Sequence, residues 1–82
     1  MTEKKTRIRF RVDGAAGGQV CFEPTGMCYE LADGEYVSAL LDESQLAALE
    51  VTYWQGGISV WVRGDFTTFD HSENELHQLW GG

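Results

Sequence analysis

SVWVRGDFTTFDH, residues 59–71, is the stretch on which the fold turns. Val60 and Val62 alternate with Ser59, Trp61 and Arg63, and a second alternating run covers Phe66 to Phe69. An apolar–polar period of two marks a strand with one buried face. Between the runs stands Arg63-Gly64-Asp65. The triplet matches an adhesion motif, but Gly beside Asp between two strands is also the chemistry of a tight turn. The start MTEKKTRIRF lacks the apolar run of a secretion signal, so no encounter with receptors is expected. The reading is two strands and a turn, a hairpin that sets Val62 opposite Phe66.

The same rhythm continues on both sides. RIRFRV puts Ile8, Phe10 and Val12 on one face and Arg7, Arg9 and Arg11 on the other. QVCFE, MCYEL, EYVSALL and LEVTYW read as further strands, separated by EPTG, ADGE and QGG. Keeping apolar residues on one face proposes registers. Phe22 then faces Met27 and Val20 faces Tyr29. Across the Asp-Gly turn, Leu31 faces Tyr36 and Met27 faces Leu40. Tyr53 faces Ile58, Val51 faces Val60, and Leu49 faces Val62. The outcome is an all-β domain, an antiparallel meander of about seven strands. One layer that wide would leave an apolar face wet, so the sheet closes as a sandwich or a barrel.

Two segments fit less well. LDESQLAALE carries Asp42 as an N-cap with Gln45 three residues on, which would start a short helix. A turn running into the strand at Glu50 is the preferred alternative. The end, HSENELHQLW, has Ser72 and Glu75 at capping-box spacing with Leu76, Leu79 and Trp80 on one helical face, which leaves room for a short C-terminal helix.

The chain has 82 residues, enough for one small domain over 1–82 with residues 1–5 flexible. Its net charge is −7, unevenly spread. Lys4, Lys5, Arg7, Arg9 and Arg11 stand against Glu3 in the first twelve positions, while Arg63 is the single base among twelve acids from Asp13 onward. Phosphate binding needs a broad basic surface, so no nucleic-acid partner is expected. No stretch is long and apolar enough for a membrane, and the expected compartment is the cytoplasm.

Cys21 and Cys28 fall opposite one another in the proposed register, within reach of a bridge. In a reducing compartment the expectation is two free thiols. With His71 and His77 they form a C-x6-C…H-x5-H set, which lacks the tight cysteine spacing of zinc sites, so no metal or other cofactor is expected. No phosphate loop, nucleophile elbow or metalloprotease motif occurs, and no enzyme activity is expected.

The candidate site residues are Trp61 and Phe69, which the register turns away from the core. Such aromatics are either covered, here by Leu76, Leu79 and Trp80 of the last segment, or left as an interaction patch. Glu50 joins them, with Glu23, Glu30, Glu35 and Asp65 steering a basic protein partner by charge. This describes an acidic protein-binding module of the inhibitor, immunity or adaptor type. Two alternatives stand beside it. One is a self-assembling structural protein, a homo-oligomer joined through Arg7, Arg9 and Arg11 against the acidic body. The other is a small-ligand or carbohydrate-binding domain built on Trp61.

Overall fold

The computed structural model describes residues 4–80. Its elements are β1 (Lys5–Arg11), β2 (Gly18–Glu23), β3 (Met27–Leu31), β4 (Tyr36–Asp42), α1 (Glu43–Ala47), β5 (Glu50–Trp54), β6 (Gly57–Trp61), β7 (Asp65–Phe69) and β8 (Glu75–Trp80). They form two four-stranded sheets, β1-β4-β7-β8 and β3-β2-β6-β5. The fold is therefore all-β, as the alternation predicts, with eight strands rather than about seven. It is a small sandwich and not a closed barrel.

Both sheets feed one core. Phe10, Val37, Ala39, Leu41, Phe66 and Leu79 come from the first sheet, and Val20, Phe22 and Val60 from the second. Phe22 is fully buried and packs its ring against Phe10, Tyr29 and Phe66 at centroid distances of 5.6, 5.9 and 5.4 Å. Edge-on and tilted contacts of this kind suit the quadrupoles of the rings. A polar tie closes the side where β3 lies over β7 and β8. The Tyr29 hydroxyl meets Thr68 Oγ1 at 2.8 Å and His77 Nδ1 at 3.0 Å. Burial raises the Tyr29 pKa, offset in part by the Thr68 hydrogen bond, so its hydroxyl stays protonated at neutral pH.

Two of the four proposed hairpins stand. Phe22 pairs Met27 and Val20 pairs Tyr29 in β2–β3, and Tyr53 pairs Ile58 and Val51 pairs Val60 in β5–β6. The other two are corrected. Tyr36 pairs Arg11 instead of Leu31, and Phe66 pairs Leu79 instead of Val62. At Asp33-Gly34 and at Arg63-Gly64-Asp65 the chain crosses the core to the other sheet. A hairpin and such an arch use the same turn residues, so period alone cannot separate them. At Gly64 the arch also keeps Phe66 inward, whereas at Gly34 the face is reversed, with Tyr36 and Leu40 turned outward beside Arg11 and Arg7 and Val37, Ala39 and Leu41 in the core. The meander is overturned with those two hairpins, since β2 and β6 pair side by side in parallel.

Residues 43–47 form a helix and not the preferred turn. Asp42 Oδ1 accepts from the Gln45 amide at 2.8 Å, and Gln45 Oε1 accepts from the Asp42 amide at 2.9 Å. That is a complete capping box. The C-terminal segment is strand β8 and not a helix, because Leu79 finds its burial beside Phe66 in the sheet. Of the tail expected to be flexible, residues 1–3 lie outside the described residues, and Lys5 opens β1 opposite Asp42.

Cys21 and Cys28 are direct partners with Cα atoms 3.9 Å apart, and their sulfurs are bonded. The expected free thiols are thus corrected to a disulfide. Compartment argued for reduction, but the β2–β3 register sets the two side chains directly opposite one another on the outer face.

Candidate functional site

The two aromatics read as one patch lie on opposite sides of the molecule. Val60 points into the core, so its neighbours Ser59 and Trp61 on β6 point outward from the second sheet. Ser38 pairs Phe69, and Ser38 alternates with the core residues Val37 and Ala39, so Phe69 points outward from the first sheet. Register, not proximity in sequence, decides the grouping.

On the first sheet Phe69 is not an open anchor. The Arg7 guanidinium lies 3.9 Å from its ring centroid and also pairs with Glu73 at 3.1 Å. Arg9 lies 4.6 Å from the Tyr36 ring, and Arg11 ends the same row opposite Tyr36. Cations over aromatic faces are attracted to the ring quadrupole. Beneath them Ser38 is fully buried, and its hydroxyl has no hydrogen-bond partner among the described residues. The expected cover from the C-terminal segment is also corrected. Leu79 belongs to the core, Leu76 packs against it, and Trp80 is 70% exposed.

On the second sheet Trp61 remains 46% exposed. It pairs Glu23 on its β2 side and Glu50 on its β5 side. Neighbouring strands lie about 4.8 Å apart, so an indole sits between two carboxylates in a single row across three strands. Further along the same face Trp54 is held down. Its Nε1 donates to Ser59 Oγ at 3.0 Å, and its ring lies over Gly57. The Cys21–Cys28 bridge and Glu30 complete this face on β2 and β3.

The structure therefore brings Trp61 and Glu50 together and places Arg7, Arg9, Arg11 and Phe69 on the far side. Of the other steering acids, Glu35 accepts from the Ala32 amide at 2.7 Å within its turn, and Asp65 lends its carbonyl to Gln45. Glu23 is the neighbour that the hairpin register could not supply, since it reaches Trp61 through the parallel pair. Cys21, Cys28 and His77 are taken up in the bridge and the Tyr29 tie, and His71 Nδ1 lies 3.8 Å from Glu35. Among the described residues no cluster of three or more metal-ligating side chains forms.

Chemically, the arrangement of the row suits a cation. A guanidinium or ammonium laid on the indole face would meet a carboxylate on either flank. Set against known protein families, curated proteins and solved structures, the chain matches none of them.

Proposed function

We propose that the chain is a non-enzymatic protein-binding module that receives an arginine or lysine side chain of a basic partner on Trp61, between Glu23 and Glu50. The observation that carries this reading is the Glu23–Trp61–Glu50 row on an exposed sheet face. An exposed indole supplies a hot-spot contact, and flanking carboxylates give orientation. The surplus of acid over base raises the rate of encounter with a basic surface.

The test is affinity capture from lysate of the protein's own source, eluted along a salt gradient, with wild type, Trp61→Ala and Glu50→Gln. A stoichiometric partner with a basic surface is expected, lost with Trp61→Ala and eluting at lower salt with Glu50→Gln. Equal recovery of that partner by Trp61→Ala removes the proposal. Both residues are exposed, so neither change threatens the fold.

A second reading has one observation in its favour. The arginine row and the Glu23–Trp61–Glu50 row occupy opposite outer faces, which is the arrangement for head-to-tail stacking of copies. Assembly of that kind rests on exposed charge and weakens as salt shortens the Debye length below about 8 Å.

A further inference from the structure

A sandwich of two open sheets has four edge strands, here β1, β8, β3 and β5. An unprotected edge presents amides and carbonyls to any strand that fits, and folded proteins blunt such edges with charge, bulges or cover. Three of the four are blunted. The β1 edge carries Lys5, Arg7, Arg9 and Arg11. The β8 edge is broken by a register shift against Thr68 and Phe69. The β3 edge carries the charge of Glu30 within the strand, and its Tyr29 is tied to Thr68 and His77 of the other sheet.

The fourth edge has none of these devices. EVTYW in β5 holds no lysine, proline or bulge, and its one charge is at its first residue. Its core-side residues are also uncovered. Val51 is 49% exposed and Tyr53 83% exposed, while Val60, the β6 partner of Val51, is fully buried. The strand overhangs the opposite sheet.

We propose that β5 is a homodimer interface, in which a second copy adds its own β5 in antiparallel fashion about a two-fold axis at Thr52. The sequence of the strand is self-complementary in that register. Val51 of each copy faces Tyr53 of the other, Thr52 faces Thr52, and Glu50 faces Trp54. The two Glu50 side chains stand four residues apart, roughly 13 Å. A parallel pairing would instead stack Glu50 on Glu50, and pairing through β1 would stack arginines on arginines. The antiparallel β5 pair joins two four-stranded sheets into one of eight and covers the exposed apolar strip of both copies. Five residues a side make a small interface, so the dimer is weak, in the micromolar range.

The proposal does not rest on the Trp61 row, which stays on the outer face of the sheet. Glu50, at the end of that row, has Trp54 of the second copy as its further neighbour. Sedimentation of the intact protein from micromolar to millimolar concentration, at low and high salt, tests it. A reversible monomer–dimer equilibrium that high salt does not weaken is expected, because backbone pairing and apolar cover carry it. Tyr53→Lys and Val51→Lys should give monomers with unchanged melting curves, since both side chains are exposed. Thr52→Cys should cross-link two chains under mild oxidation, while Ser59→Cys, one strand inward, should not. A wild type that stays monomeric throughout, a dimer that survives Tyr53→Lys, or absence of the Thr52→Cys cross-link would each overturn the proposal.

Discussion

Gly57 has no room for a side chain. A Cβ there would run into the Gln19 carbonyl of β2, and it would lie 3.0 Å from the Trp54 ring. Gly56 before it has a different duty, holding the turn at φ +100°. From the sequence the pair reads as turn chemistry alone. The second glycine is explained only once β2 is known to lie beside β6. We expect Gly57→Ala to cost about 2–4 kcal/mol, because backbone on β2 must move and Trp54 must lift from the sheet. Urea titration followed by tryptophan fluorescence measures this, and a loss below about 1 kcal/mol would mean that the two strands part easily.

At the scale of elements, α1 shows how a five-residue helix survives. Isolated helices of that length do not persist in water. Asp42 and Gln45 satisfy each other's amides at its start, and Gln45 does more. Its Nε2 donates to the carbonyls of Arg63 at 2.7 Å and Asp65 at 2.9 Å, so the helix clasps the Arg63-Gly64-Asp65 arch from behind. The triplet is a pinned crossing between sheets. Gln45→Ala should therefore lose about 2 kcal/mol, from two carbonyls and one amide left without partners, and thermal melting will show it. Gln45→Glu should behave as Gln45→Ala at neutral pH, where a carboxylate faces two carbonyls. The Asp42 carboxyl is held below its ordinary value of 3.8, first by the Gln45 amide and then by the Ser44 hydroxyl. A depressed folded value means stability that is present above the ordinary value and lost as pH falls through the folded one. Acid should thus loosen the cap just below the usual aspartate range.

The capping box was legible because it is local, and so were the two true hairpins, whose turns fix their own registers. The crossings at Asp33-Gly34 and Gly64 were not, because nothing within a turn says which sheet receives the next strand. The same divide runs through the candidate site. Glu50 beside Trp61 follows from the β5–β6 hairpin. Glu23 beside Trp61 depends on a parallel pairing between distant segments, for which no local signal exists. Phe69 was misplaced for this reason too, carried to the other sheet by an arch that reads as a hairpin.

For the whole molecule, the question is how far stability depends on the disulfide. The bridge joins residues seven apart, inside a hairpin that the backbone ladder already aligns. Closing so short a loop removes little freedom from the unfolded chain, about 2.5 kcal/mol by the loop-entropy estimate. A domain of this size commands roughly 5–10 kcal/mol in total. The first sheet, the aromatic cluster around Phe22 and the Tyr29–Thr68–His77 tie contain no part of the bridge. Cys28 is exposed, so a dithiol reductant has access. Reduction should therefore lower the melting temperature by roughly 5–20 °C while the transition stays single and cooperative. Near-ultraviolet circular dichroism at 25 °C should keep its aromatic signal, since Phe22 and its neighbours stay packed. Collapse of that signal on reduction would show that the bridge, and not the shared core, holds the two sheets together. Its persistence would mean that the chain keeps its fold in a reducing compartment, with the Glu23–Trp61–Glu50 row intact.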